Sequence, residues 1–229
     1  MKFLALFVVL APAVAHAEEV DSPMIESSAT YSVDFGSHVR WFGDTSAAIL
    51  STEPIAGPRV TIGRSLTGVK APLRDVSVGV FARYTFATTQ GTFFQNLTTQ
   101  IDQHELGAGL RFDAPLWWRF RVIGQAELGM ARTALTVTEA DQMTTPVDDH
   151  AWAPYVAATL GTDIAIYQGP RFRLSLGMDL GYTASVPVDL RALPGDRPDE
   201  DLSIPTDYVS IGKLDTRGFT YSMAFRGAF

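Results

Sequence analysis

Alternation is the feature that most narrows what this chain can become. In the closing stretch GFTYSMAFRGAF, Phe219, Tyr221, Met223, Phe225, Gly227 and Phe229 share one parity; Thr220, Ser222, Ala224, Arg226 and Ala228 share the other. A period of two with one face almost purely apolar marks a strand whose two sides meet unlike surroundings. Seven further segments repeat it. Ala29 to Phe42 sets Tyr31, Val33, Phe35, Val39 and Trp41 against Ser32, Asp34, Gly36, His38 and Arg40. Pro58 to Leu66 is a weaker second segment, with Arg59, Thr61 and Gly63 opposed to Val60 and Ile62. The others are Asp75 to Ala87, Gln103 to Asp113, Trp117 to Leu135, Trp152 to Tyr167 and Arg171 to Thr183, giving an even count of eight.

The links between segments also alternate. Short ones (TGVKAPL, APL and QGP) follow long ones (Gly43 to Gly57, Thr88 to Ile101, Thr136 to Ala151 and Ala184 to Arg217) in strict succession. One end of the sheet is therefore tight-turned and the other carries loops, the arrangement of bacterial transmembrane barrels. A β-sandwich or lipocalin-like barrel alternates too, but turns its apolar side chains inward. Here the apolar parity carries leucines and rings over about 9–11 residues, the reach of a tilted strand across a bilayer. Its partner parity is Gly, Ser, Thr and scattered charges, which suits a narrow interior. Aromatics fall near segment ends at Tyr31, Trp41, Tyr84, Phe86, Phe112, Trp118, Trp152, Tyr182 and Phe229, as interfacial girdles require. The expectation is an all-β, eight-stranded, antiparallel up-and-down transmembrane β-barrel over residues 29–229. Arg64, His104 and Arg132 break the rule by lying on the lipid parity, where a midplane charge costs about 2–4 kcal/mol. Each is near a segment end, where that cost fades.

The first residues fit an exported protein. Lys2 precedes an apolar run from Phe3 to Val14, and Ala15-His16-Ala17 is a small-x-small cleavage pattern, so residues 1–17 read as a signal peptide and 18–28 as a short periplasmic segment. There is no cysteine, hence no disulfide and no lipid-anchored N-terminal Cys. Without Lys2 the chain has 17 basic against 25 acidic residues, a net charge of −8, which argues against nucleic acid. After the signal no apolar stretch reaches the roughly 18 residues of a membrane helix. A bacterial outer-membrane location follows.

On this architecture and the ending YSMAFRGAF, the chain resembles the small OmpA/OmpX-type outer-membrane barrels, without the peptidoglycan-binding domain that follows the barrel in OmpA itself. The resemblance implies that Tyr221, Met223, Phe225 and Phe229 form the C-terminal signal read by the barrel assembly machinery. It also implies contact with outer-membrane lipid and lipopolysaccharide. A monomer is expected.

Eight strands leave an interior just wide enough for side chains. The inward set is Asp34, His38, Arg40, Arg83, Glu105, Arg111, Arg119, Arg121, Glu127, Asp163, Arg173, Asp179 and Arg226. Buried charges need partners, and 15 of the 18 basic residues are Arg, the side chain suited to bidentate pairing. The expectation is a structural plug of ion pairs, with a narrow pore as the alternative. A lipid-modifying enzyme is the other alternative, since some small barrels act on acyl chains. Acyl chemistry wants Ser, His and a carboxylate together, yet Ser37 and His38 are neighbours on one strand and face opposite ways, as do His104 and Glu105. No cofactor motif and no metal-ligand spacing appears. Asp148, Asp149 and His150, with Glu139 and Asp141 nearby, read as an acidic outer loop. The link from 184 to 217, rich in Pro and acid between Asp196 and Asp201, reads as a poor core former and an exposed binding surface. Function is therefore expected in the loops: structural support or an adhesin-like interaction with an extracellular partner. The NLT at Asn96 matches a glycosylation sequon and carries nothing in a bacterium.

Overall fold

A computed structural model describes residues 31–42, 54–66, 76–93, 97–117, 119–139, 147–192 and 209–229. Residues 1–28, with the expected signal and periplasmic segment, lie outside that range, as do Trp118 and Asp196 to Asp201. Eight strands close a barrel: β1 (Tyr31–Phe42), β2 (Ile55–Ser65), β3 (Ser77–Phe93), β4 (Leu97–Trp117), β5 (Phe120–Glu139), β6 (Val147–Gln168), β7 (Arg173–Ser185) and β10 (Gly218–Ala228). Between the last two, β8 (Val188–Ala192) and β9 (Val209–Leu214) form a separate antiparallel pair. The barrel order is β1-β10-β7-β6-β5-β4-β3-β2, every neighbour antiparallel. Closure is between the first and last strands, from Ser32↔Ala228 to Phe42↔Gly218. Reciprocal backbone bonds of 2.9 Å join Tyr31 and Phe229 one rung further. Closing the sheet leaves no edge with unpaired N–H and C=O groups, the condition for crossing lipid as strands.

Parity assigns the faces. Phe35 (61% exposed), Leu106 (64%) and Leu128 (68%) point out, whereas Asp34, Arg83, Glu105, Asp163 and Asp179 are buried inside. An outward leucine is unfavourable in water and favourable against acyl chains, so the belt is lipid-facing.

Three details depart from the sequence reading. Ala114 to Leu116 is not a turn: β4 runs through it to Trp117, with an irregularity between Pro115 and Trp117, and the reversal comes before Phe120. A proline is tolerated where the ladder is already broken. Arg119 consequently sits exposed in that turn rather than inside the barrel. The largest departure is at the loop end. There β3 to β6 extend well beyond the expected segments, and Asp148, Asp149 and His150 belong to β6, paired with Thr136, Leu135 and Ala134, rather than to a loop tip.

At the loop end of the barrel the outward face turns polar and apolar side chains join the inward face, which still carries the buried Thr89 and Thr99. Thr88, Gln90 and His150 face outward and exposed, while Ala87, Ile101, Leu135 and Ala153 face inward and buried. Above the membrane the outside is water, so the pattern there is that of a soluble barrel.

Candidate functional site

The interior at membrane level is a network of charges. Arg40 on β1 reaches across to Glu105 on β4 with two bonds, 2.6 and 2.9 Å. Arg83 on β3 donates to Glu127 on β5 at 2.5 Å and to Thr61 at 3.2 Å, and also pairs with Gln125. Tyr155 on β6 donates to the other Glu127 oxygen at 2.6 Å. Arg226 on β10 binds Asp179 at 2.5 and 2.6 Å and pairs with Asp163. Arg59 on β2 meets Asp179 at 2.9 Å and the Ser222 hydroxyl at 2.6 Å. Nearer the short-turn end, Arg111 pairs with Asp34, Arg121 with Asp113 at 2.5 Å, and Arg173 lies 3.8 Å from Asp163. Each carboxylate thus faces at least one guanidinium, which offsets the cost of taking it out of water.

Glycine makes the room. Gly107 lies on β4 between Arg83 and Glu127, and a Cβ there would run into the Glu127 carboxylate and the Tyr155 hydroxyl. Gly177, on β7, would likewise meet Asp163 and the Arg226 guanidinium. The inward glycines of the alternating pattern therefore let pairs form between strands that are not neighbours.

Twelve of the thirteen residues expected inside project inward, Arg119 being the exception, and Arg111 and Arg121 are only partly buried. Sequence reasoning left out Arg59, Asp113 and Tyr155. Parity alone would have placed all three, since Arg59 and Asp113 share the inward parity of β2 and β4 and Tyr155 that of β6. A cavity of about 20 Å³ is lined by His38, Arg40, Arg59, Arg83, Glu105 and Glu127 among others, space for about one water. His38 does not enter an acyl-transfer arrangement. Its neighbours in register are Ser222 on β10 and then Asp179 on β7, which puts the serine between the other two. The Ser222 hydroxyl accepts from Arg59 and donates to Asp179 at 3.3 Å, and His38 Nε2 has no hydrogen-bond partner. Among the described residues no group of three His, Cys, Asp or Glu side chains could hold a metal.

Over this network lies an apolar layer. Ile55, Ala87, Ile101, Leu135 and Ala153, one from each of β2 to β6, form a buried cluster with Val188 and Leu190 of β8 and Leu214 of β9. The β8–β9 pair thus seats its apolar side chains in the mouth of the barrel, contrary to the expectation that the 184–217 link is a poor core former. The physical reason is short: VDL and the KL of its two ends carry the hydrophobes, and the Pro-rich acidic stretch lies between them. Burying each such side chain is worth about 1.5–3 kcal/mol. The base of the cap is tied by Ser185 Oγ to Thr216 Oγ1 at 2.7 Å, and by Asp215, whose carboxylate accepts from the Arg217 backbone N–H at 3.0 Å and from its Nε at 2.7 and 2.9 Å. Those bonds from Arg217 hold the Asp215 carboxyl below the ordinary carboxylate range and raise the pKa of Arg217.

A closed eight-strand barrel, charged within and apolar without, defines a small outer-membrane β-barrel protein, and this chain is one, located in the outer membrane. Solved structures with this fold include a major outer membrane protein from Thermus thermophilus (12% identity, TM-score 0.52, covering 88% of this chain and 98% of that one). The attachment invasion locus protein Ail of Yersinia pestis aligns at 11% identity and TM-score 0.45, over 87% of this chain and 97% of its own. Neisserial surface protein A does so at 13% and 0.46, with the same coverage. At such identities the likeness is one of fold. No protein-family model and no curated protein sequence matches the chain.

Proposed function

We propose that this barrel is a closed, non-catalytic scaffold that supports the envelope and presents its outer surface to an extracellular partner. The observation that carries the reading is double occlusion: ion pairs fill the lumen at membrane level, and the β8–β9 pair covers its mouth with Val188, Leu190 and Leu214. A narrow pore would need a continuous wet path, and both layers stand in its way. Between β8 and β9 the sequence runs through the Pro-rich acidic stretch 193–208, the kind of connection in which a rigid scaffold usually carries its binding residues.

The test is a deletion of residues 193–208 that spares β8 and β9, compared with the intact protein on cells. Heat-dependent gel mobility reports the barrel, and adhesion or serum survival reports the surface role. A folded deletion that keeps every phenotype the intact protein confers argues for a purely structural role. Unitary conductance of the intact protein in planar bilayers argues for a pore. A change in lipid A acylation, read by mass spectrometry in cells with and without the protein, argues for an enzyme.

A further inference from the structure

The lipid-facing exceptions, His104 and Arg132, are brought side by side. Register sets Phe86, His104, Arg132 and Trp152 opposite one another on β3, β4, β5 and β6, a single outward row about 14 Å across. Its height follows from the strand. Arg132 is twelve residues beyond Phe120, and at ~3.3 Å per residue along a strand tilted by ~40° the climb is about 30 Å. That is the thickness of the hydrocarbon core, so the pair stands at the outer headgroup level. Just below it the same face is greasy: Leu106, Leu128 and Val156 are 64%, 68% and 58% exposed.

An imidazole and a guanidinium thus stand directly opposite across a pair of strands. Among the described residues no carboxylate pairs with Arg132. Asp102, one row further out beside Ala134 and His150, is held by the Gln100 amide at 3.0 and 3.1 Å. His104 is positioned from behind: its Nδ1 is 2.8 Å from the Tyr84 hydroxyl and its ring 4.9 Å from that of Phe86. Tyr84 occupies Nδ1, which leaves Nε2 as the ring nitrogen open to a ligand, on the strand next to that of Arg132. An anion over an apolar plane is what this face complements, and guanidinium and imidazole N–H groups together fit phosphate oxygens.

We propose that His104 and Arg132 form a binding site for a phosphate of lipopolysaccharide in the outer leaflet, with its acyl chains against the Leu106, Leu128 and Val156 face. The proposal rests on the outer-membrane placement. The test uses the full-length protein folded in phosphatidylcholine nanodiscs, with bisphosphorylated lipid A as probe and retained lipid counted by native mass spectrometry. The H104Q/R132Q double variant should lose about tenfold or more in apparent affinity, two charge-assisted bonds being removed. R132K should keep most of it, because lysine still offers a point charge to phosphate. Wild-type protein should bind dephosphorylated lipid A as weakly as the double variant binds the intact lipid. Unchanged binding by the double variant, undiminished binding of dephosphorylated lipid A, or equal binding of phosphatidylglycerol each overturns the assignment. The dephosphorylated arm needs only wild-type protein, so it stands even if the variants fold poorly. Failure of the wild type to insert at all is a different result and refutes the membrane placement instead.

Discussion

Replacing Arg83 by Met tests whether the interior is a dry, paired network. Arg83 and Glu127 are 7% and 3% exposed at their side chains and bond at 2.5 Å. Without the guanidinium, Glu127 keeps only the Tyr155 hydroxyl among its bonded partners, Gln125 keeps only Thr159 at 3.3 Å, and Thr61 loses its bond to Arg83. Leaving one member of a buried pair uncompensated costs about 3–5 kcal/mol, so R83M should lose that much, as should E127L, which strands the guanidinium. Removing both charges is cheaper than the sum. R83M/E127L leaves neutral groups short of partners, the Tyr155 hydroxyl foremost, each at about 1–3 kcal/mol. The double-mutant cycle should therefore show a favourable coupling of at least ~2 kcal/mol. Urea unfolding in lipid bilayers, followed by tryptophan fluorescence and extrapolated linearly, supplies the three differences. Single losses below ~1 kcal/mol, or a double variant equal to the sum of the singles, would refute the reasoning. Combined with raised conductance, that result would mean the charges are solvated and the lumen is a channel.

L190D places a carboxylate in the Ile55, Ile101 and Leu135 layer, where Leu190 is 2% exposed. The β8–β9 pair should detach, giving trypsin access to Arg191 while heat-dependent mobility persists, and unchanged protease resistance would count against a seated cap. Deleting Phe229 removes the two 2.9 Å bonds to Tyr31, worth about 1–3 kcal/mol together, along with the expected assembly signal. Membrane levels in cells should fall further than detergent refolding does; normal levels would argue against the recognition role. Asp215, with its carboxyl lowered by Arg217, contributes stability above its unfolded pKa of about 3.9 that is lost only as pH falls through the lower folded value. Amide signals around Asp215 to Arg217 should hold from neutrality to about pH 4 and shift only below it. The D215N variant should show no such acid transition, and its persistence would assign the transition to another group.

The number of barrel strands, the closed antiparallel topology and the faces of the side chains along the membrane-level strands were legible in the sequence, because in a bilayer one physical rule acts along every strand. Lipid demands apolar atoms outside, closure demands satisfied backbone, and a period of two records both. Phe35, Leu106 and Leu128 could only go outward, and Asp34, Glu105 and Asp179 only inward. Two things were decided in three dimensions. The first is pairing. Arg40 meets Glu105 and Arg83 meets Glu127 across strands far apart in sequence, through space that Gly107 leaves open, and no local pattern encodes which guanidinium reaches which carboxylate. The second is the loop end. A search for one fixed apolar parity stops where the outside changes from lipid to water, so the extensions of β3 to β6 read as loops. Val188, Leu190 and Leu214 then looked like scattered hydrophobes in a polar link. They become a core because the barrel mouth offers Ile55, Ile101 and Leu135 at a distance in sequence, and burial against those partners exists only once the barrel has closed.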